Sequence, residues 1–577
     1  MQRERNDKGV ALIVAVIFMM VAFITIGALS MRGLSSYRVT RAYVDFEKDI
    51  YGCEAGIADA SKELERVIDG RDNDGDGYVD ESDEFDGNIG TALWDLMDDT
   101  NGDGMPSFGE PNVAPVVIGA NTDSRTEYIA WTRPWGSDGI DNNGDGTTDE
   151  PFEQDYVTIT AAARRAGQVR MVEVIAVNQN INCWTNAVFG GAGQAGGCIN
   201  GNVSVHGSVH VLGDNIPAGG EAVASIDMSG TSLISNNYLG IPAELVDRIP
   251  GLGTRLFQGE DVETLNTALR VRRGLVSMSG TAHVGQPDVM GNIYKETVDA
   301  TRVTDGWTGN SVVPDGGRGD PMNVYSDNGW DELYDLGTKL SLPRLSDAWR
   351  DPLTGQTVTN PGTGVPYTHE EYFTQVLADS VIPGPVDITV GTSYYYNASR
   401  PGDSNPANRN PANDDYIYYD AATNTMEING QVAINGDFTI DSHGSSNTIN
   451  YTGRAALLVQ GDADIDANML SVNADGSIAN SYPAANCLGL MTSGTLTVGS
   501  GAQRDLMGAF YGEQSVTSTK QTNTAGTYVS EYFDMGTNVP NIFQVPSLPA
   551  NLPYGMVGAY PIYVVVHRSW QELLITE

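Results

Sequence analysis

Residues 199–213 read INGNVSVHGSVHVLG, and this stretch decides the fold expected for most of the chain. Gly201, Gly207 and Gly213 recur every six residues, and two valines at alternate positions stand in each interval. Glycine permits the tight turns that such short intervals need, and alternating valines give a strand one apolar face. The pattern predicts the stacked parallel coils of a β-helix, with a β-sandwich as the alternative.

Further short apolar runs bounded by Gly, Asn or Asp follow later in the chain. They are MEINGQVAINGDFTI at 426–440, AALLVQGDADIDA at 455–467, CLGLMTSGTLTV at 487–498 and LMGAFYGEQSVTS at 506–518. We assign 181–238 to the start of the β-helix and 421–577 to its continuation and the C-terminal region. Residues 239–420 are expected to form a large mixed insertion, because helix-like segments such as AELVDRI alternate there with Pro/Gly-rich loops.

Two runs of tyrosine lie near the end of this expected insertion. They comprise Tyr394, Tyr395, Tyr396, Tyr416, Tyr418 and Tyr419. Tyrosine is enriched on strand faces, and it also stacks on sugars and on protein partners. We interpret both runs as strand faces and assign no binding site to them.

Upstream of the glycine-spaced repeat, residues 154–180 favour a β-hairpin. The sequence YVTITAAARRAGQVRMVEVIAV places β-branched residues on both sides of a turn at 166–168.

Three strings between residues 69 and 153 repeat the spacing of an EF-hand calcium loop, which supplies oxygen ligands at positions 1, 3, 5, 7, 9 and 12 and has glycine at position 6. The predicted ligands are Asp72, Asp74, Asp76, Tyr78, Asp80 and Asp83 in the first loop, Asp99, Asn101, Asp103, Met105, Ser107 and Glu110 in the second, and Asp141, Asn143, Asp145, Thr147, Asp149 and Glu150 in the third. Position 12 of the third loop is Phe152, so Glu150 or Glu153 would have to replace it. One such string usually forms a surface turn, but three copies favour Ca²⁺ as a cofactor that stiffens the region.

The N-terminus combines a basic leader with a long apolar run. Arg3, Arg5 and Lys8 precede an uncharged segment over 10–30 that is long enough to enter a membrane as a helix. The chain then has no proline up to residue 68, and apolar residues recur at three- and four-residue steps. We therefore expect one continuous helix over 10–68. A plain single-pass anchor is the simpler alternative.

The leader ending in Gly9, the KGVALIVAV start and the later segment YVDFEKDIYGCEAGIADA resemble PilX-type minor pilins of type IV pili over residues 1–68. The resemblance implies cleavage by a prepilin peptidase between Gly9 and Val10. It implies an inner-membrane location before assembly and then an extracellular pilus, with other minor and major pilins, and a tip adhesin, as partners. Shaft pilins usually begin with Phe and carry Glu at the fifth position, where this chain has Val10 and Val14. That departure favours a tip or initiation role.

Together these expectations define a mostly β, α+β chain with a structural function. A leader over 1–9 is followed by a pilin-like helix over 10–68, calcium loops over 69–153 and the hairpin over 154–180. A β-helix interrupted by the insertion over 239–420 follows.

The charge of the chain limits its partners. It has 32 Lys and Arg against 74 Asp and Glu, a formal net charge of −42. Such a field repels phosphate backbones, so we expect no nucleic-acid partner.

Four cysteines suit an oxidising compartment, and we predict a Cys183–Cys198 disulfide, with buried free thiols as the alternative. We identify no catalytic residues, since GxSxG, HExxH, Walker and CxxC motifs are absent and the six histidines are scattered. Only His206 and His210 share a strand face, which we expect to be solvated. The rival function is a membrane-anchored β-helix protein that acts as an adhesin or a polysaccharide lyase.

Overall fold

The structure is a computed structural model. It describes residues 16–17, 19–20, 23, 31, 48, 50–62, 93–94, 115–118, 126–134, 156–165, 168–193, 203–217, 223–257, 260–309, 323–328, 336, 339–352, 356–442, 447–535, 540–560 and 562–573. These residues form two compact units. The first contains the described residues up to 179 together with those from 563 onward, and the second spans 180–562.

The first unit is a helix packed on a mainly antiparallel sheet. The helix, α1, covers residues 50–62. The strands are β1 (Leu93–Trp94), β2 (Val116–Ile118), β3 (Thr126–Pro134), β4 (Tyr156–Arg165), β5 (Gln168–Asn180) and β32 (Tyr563–Leu573). Their order in the sheet is β1, β3, β4, β5, β32, with β2 beside β3. The β4–β5 hairpin begins at the pair Arg165–Gln168 and extends to Tyr156–Val177.

The expected fold class is wrong in its helical part. The chain is mostly β, and no long N-terminal helix is found among the described residues. Helix is described over 50–62 and otherwise, before that run, only at positions 16–17, 19–20, 23, 31 and 48. A periodic apolar pattern alone does not stabilise a helix, since most helical stability in proteins comes from packing of the apolar face. The described helix α1 has such packing, because its apolar face contacts the sheet.

The second unit contains twenty-six strands, all in its described residues. They are β6 (Val188–Gly190), β7 (Ser204–His206), β8 (Val209–Val211), β9 (Ala224–Met228), β10 (Leu233–Ser235), β11 (Thr254–Phe257), β12 (Glu260–Glu263), β13 (Ala268–Val271), β14 (Leu275–Met278), β15 (His283–Val284), β16 (Ala300–Val303), β17 (Trp307–Gly309), β18 (Val381–Ile382), β19 (Val386–Thr389), β20 (Tyr394–Asn397), β21 (Tyr416–Asp420), β22 (Thr425–Ile434), β23 (Phe438–Asp441), β24 (Thr448–Val459), β25 (Ala463–Asp466), β26 (Asn468–Ser471), β27 (Cys487–Thr492), β28 (Thr495–Val498), β29 (Arg504–Ser518), β30 (Thr522–Asp534) and β31 (Asn541–Phe543).

Helical elements in the second unit are short. They are α2 (Ala243–Val246), α3 (His369–Glu371), the 3-10 turns Cys183–Thr185, Ala378–Ser380, Pro406–Asn408 and Pro549–Asn551, and the π-type turns Tyr372–Val376 and Ser481–Ala485. A capping box starts α3, since the Thr368 hydroxyl accepts from the Glu371 backbone N–H and the Glu371 carboxylate accepts from the Thr368 backbone N–H.

Parallel ladders stack the second unit's strands one above another. One ladder runs through β18, β22, β24, β27, β29, β30, β6, β8, β13 and β16 in register. The strands near 199–213 and those of 421–535 therefore belong to the same stack. Strands β13, β15, β16, β18 and β19, which lie within 239–420, pair into it as well. The insertion expected there thus supplies coils of its own.

A second ladder, on another side of the stack, carries a row of amide and carboxylate side chains. The Asn468 side-chain oxygen accepts from the Asp505 backbone N–H at 3.0 Å, and the Asp505 carboxylate accepts from Asn523 at 2.7 Å. The row continues to Asn541, which donates to the Asn523 side-chain oxygen at 2.8 Å. Each bond joins neighbouring coils, so the row fixes their register.

Candidate functional site

The first unit is organised by the contact between α1 and one face of its sheet. Buried positions on α1 are Gly52, Cys53, Gly56, Ile57 and Ala60, a spacing that places them on one side of a helix. The sheet residues that receive them are Tyr128, Ala130, Val157, Ile159, Ala161, Ala163, Val172, Val174 and Ala176. Glycine or alanine stands at three of the five helix positions and at four of the nine sheet positions, so the helix can lie close to the strands.

Two glycines of α1 make this close approach possible. A Cβ atom at Gly52 would stand 2.7 Å from Thr126 Cγ2 and 2.9 Å from Ala163 Cβ. At Gly56 it would stand 2.9 Å from Ala161 Cβ and 3.0 Å from Tyr128 Cδ2. The Gly-x-x-x-Gly spacing within YGCEAGIADA is the sequence signal for this tightly packed helix.

Polar groups at the edge of the contact pair with one another. The Tyr128 hydroxyl donates to the Asp59 carboxylate, and the Cys53 thiol donates to the Arg170 carbonyl at 3.5 Å. Burial, and then the neighbouring Asp59 carboxylate, raise the pKa of the Tyr128 phenol. This phenol therefore stays a hydrogen-bond donor throughout the physiological pH range.

The second unit is inserted between two strands of the first unit's sheet. Strand β5 leads into it at Asn180, and β32 begins directly after Ile562, beside β5 in the sheet. At the point of entry the Ile181 N–H donates to the Ile562 carbonyl at 2.8 Å, and the Ile562 N–H donates to the Asn180 side chain at 3.2 Å. The chain thus enters and leaves the second unit at one place.

The predicted cleavage and calcium sites lie outside the described residues. This holds for Gly9 and Val10 and for all eighteen predicted calcium ligands, from Asp72 to Glu150. Over the described ranges, no group of three or more His, Cys, Asp or Glu side chains is placed to hold a metal ion. Calcium binding at the three loops stays a prediction.

The predicted disulfide is not formed at Cys183. Cys183 is a buried free thiol whose Sγ lies 3.8 Å from the Gly558 carbonyl, and Cys53 and Cys487 are also buried. Burial raises the pKa of the Cys487 thiol to about 12. Burial also raises the pKa of the Cys183 thiol, so both thiols are unreactive near neutral pH. Cys198 lies outside the described residues.

The expectation of a solvated face at His206 and His210 is wrong, because both are buried. His206 Nδ1 lies 2.7 Å from the Asn237 carbonyl, and its ring stacks on Phe543 with centroids 4.6 Å apart. Burial lowers the pKa of His206 to about 4. His210 lies edge-on to Phe189, and burial followed by Arg270 and Arg272 lowers its pKa. Both rings are therefore neutral packing groups near pH 7.

The tyrosine runs form strands β20 and β21, as predicted. On one face, Arg409 makes a two-pronged ion pair with Glu427, with both N–O distances 2.6 Å. Its guanidinium also lies 4.6 Å from the centre of the Tyr418 ring. These contacts attach the loop before β21 to the sheet, so this face serves packing.

The chain was compared with protein families, with curated proteins and with solved structures. No protein-family model matches the chain, and no curated protein matches it. The crystal structure of the competence-associated pilin ComZ from Thermus thermophilus is similar with a TM-score of 0.44 at 15% identity, covering 92% of this chain and 97% of that one. None of these comparisons supports the narrower PilX assignment. Within the described part of the chain, no helix combines the length and the apolar character needed to span a membrane.

Proposed function

We propose that the chain is a minor subunit of a type IV pilus or a related filament, placed at the tip or acting in initiation. The observation that supports this proposal is the first unit, in which α1 packs its small-residue face on an antiparallel sheet. This helix follows a sequence that begins with a basic leader and continues as an uncharged apolar segment from Val10. A head of this kind, directly after such a segment, suits a subunit held in a filament by its N-terminal part.

In this proposal a prepilin peptidase cuts between Gly9 and Val10. The segment from Val10 then contacts neighbouring pilins, first at the inner membrane and afterwards in the extracellular filament. Val14 offers no carboxylate to pair with the terminal amine of a neighbouring subunit, which is tolerable where no subunit lies above. The role is structural rather than enzymatic.

The second unit is the displayed part of the subunit. It enters and leaves the first unit's sheet between adjacent strands, so the filament-forming part keeps its own core whatever the second unit carries. We propose that the second unit acts in assembly with other pilins or in contact with a surface.

The decisive experiment is the N-terminal sequence of the protein in sheared surface fibres, from cells with and without prepilin peptidase. We expect Val10 as the first residue in fibres, and its loss without the peptidase. An intact Met1 in membranes in both strains would contradict the proposal and favour an anchored adhesin or lyase.

We also propose that Ca²⁺ occupies the three loops and stiffens the region between α1 and the hairpin. Carboxylates at alternate loop positions, with glycine at position 6, are the ligand set that Ca²⁺ prefers. Titration with Ca²⁺ measures the number of ions bound per chain. This number should fall by one in the variant that combines Asp99→Asn, Asp103→Asn and Glu110→Gln. Replacement of Asp387, Asp403 and Asp475, which lie outside the loops, is the matched control. Unchanged stoichiometry in the loop variant would refute the second site.

A further inference from the structure

One turn of the second unit presents apolar side chains to solvent. Val289 is 59% exposed, Met290 89% and Ile293 69%, and all three lie within five residues between β15 and β16. Apolar side chains concentrated in this way on a strongly charged protein mark an interaction surface.

The turn is held firmly in place. The Asp288 carboxylate accepts from the Glu296 N–H at 2.9 Å and from the Thr297 N–H at 3.1 Å. The Asn292 N–H donates to the Val289 carbonyl at 3.1 Å, and the Ile293 carbonyl accepts from the Glu263 N–H at 2.7 Å. Because the backbone is fixed before any partner arrives, binding would cost little conformational entropy.

A buried ionic cluster supports the base of the turn. The Lys295 side chain is fully buried, and its Nζ lies 2.9 Å from an Asp327 oxygen and 3.5 Å from an Asp299 oxygen. Arg255 pairs with the same two carboxylates at 2.8 and 3.1 Å. These cations are therefore already neutralised by acids.

Among the described residues, acidic groups lie on the strand beside the turn and at its start. Asp261 is exposed and Glu263 half-buried on β12, the strand that bonds to the turn. Asp288 precedes the apolar residues and is half-buried, whereas Glu296 is buried and accepts from Asn237 and Asn292. The whole chain carries a formal charge of −42, which opposes the approach of a second copy.

We infer that this turn, residues 288–296, is the docking site for a protein segment that combines apolar side chains with a basic rim. Val289, Met290 and Ile293 would contact the apolar side chains of the partner, and lysine or arginine at the edge of that contact would face Asp261 and Glu263. Such a site has a hydrophobic centre and a polar rim, as specific interfaces do. The inference does not depend on filament assembly.

The test uses the full chain and a panel of fluorescent peptides with Leu, Phe or Trp cores, each made once with flanking lysines and once with flanking glutamates. We expect lysine-flanked peptides to bind in fluorescence anisotropy and to weaken with added salt. Val289→Ser, Met290→Ser and Ile293→Ser combined should reduce affinity by about tenfold or more. Val365→Ser is the matched control at another exposed valine and should leave binding unchanged.

Asp288→Ala provides a second variant that keeps the apolar residues but releases the turn, and it should weaken binding by a smaller factor. Unchanged circular dichroism and urea midpoint verify that each variant is folded. Equal binding by the triple variant, equal binding of glutamate-flanked peptides, or no binding by any peptide would overturn the inference. If the unmodified chain bound neutral phosphatidylcholine vesicles and the triple variant did not, the turn would be a membrane-binding site instead. If the unmodified chain formed concentration-dependent dimers and the triple variant did not, the turn would be a self-association site instead.

Discussion

Adding one methyl group at Gly56 should loosen the contact between α1 and its sheet. The new Cβ would stand 2.9 Å from Ala161 Cβ and 3.0 Å from Tyr128 Cδ2, closer than ordinary packing allows. Overpacking of this kind costs about 1–3 kcal/mol, whereas replacing glycine by alanine inside a helix gains about 1 kcal/mol. For Gly56→Ala we expect a net loss of about 1 kcal/mol in the free energy that keeps α1 docked.

Cys53 reports on this docking directly. It is fully buried in the same contact, so a thiol reagent reaches it only when α1 leaves the sheet. Labelling under native conditions, with the modified peptide identified by mass spectrometry, should be about fivefold faster in Gly56→Ala, since about 1.4 kcal/mol corresponds to a factor of ten.

Two further variants separate the steric effect from helix propensity. Combining Gly56→Ala with Ala161→Gly removes the colliding methyl group, so the pair should show a favourable coupling of about 1 kcal/mol in a double-mutant cycle. Ala58→Gly lies on the exposed side of α1 and should lose only the propensity term of about 1 kcal/mol. Slower or unchanged labelling in Gly56→Ala, or no coupling with Ala161→Gly, would refute the close-packing argument.

Three other predictions concern the second unit and its insertion. His206 has a pKa of about 4 in the folded protein against about 6.5 in the unfolded chain, so its contribution to stability is complete above about pH 6.5 and is lost as the pH falls towards 4. His206→Phe should therefore reduce the fall of the urea midpoint between pH 6.5 and pH 4, and an unchanged fall would contradict the prediction. Asp466→Ala should cost about 2–3 kcal/mol, because it removes the carboxylate that lies 2.9 Å from the buried Arg504 and that also accepts from the Gly501 and Ala502 N–H groups. Asp387→Ala, at an exposed position of the same ladder, should change the urea midpoint little, and equal shifts in the two variants would contradict the prediction. Replacing 181–562 by a short Gly/Ser linker should leave the first unit folded, with Cys53 still protected from labelling, and rapid labelling would refute its independence.

The positions of strands were easier to predict from the sequence than the residues that pack on them. Glycine spacing and alternating valines at 199–213 predicted short strands, and these strands pair in parallel because each coil needs a neighbour to cover its apolar face. The turn at 166–168 was also visible, because β-branched residues stand on both sides of it. Local pattern is sufficient where the partner is the adjacent strand.

Long-range partners were not predictable in the same way. His206 and His210 alternate with valine, a pattern typical of a strand with one polar face. Both rings are nevertheless buried, because Phe543 packs on His206 and Phe189 packs on His210 from other strands. The coils within 239–420 were missed because long corner loops between short strands hide the repeat. The apolar spacing of α1 was predictable from the sequence. The short distance between α1 and the sheet was not, because Gly52 and Gly56 contact alanines more than a hundred residues further along the chain.

The double connection between the units has a mechanical consequence. A pull on the second unit is transmitted to β5 and β32 at the same point, so the two neighbouring strands are drawn together rather than slid past each other. The load then falls on the ladder between β4 and β5, where all ten residues of β4 are paired in register. The pairing between β5 and β32 therefore carries little of the load, and the second unit can be pulled without separating the two strands that connect it.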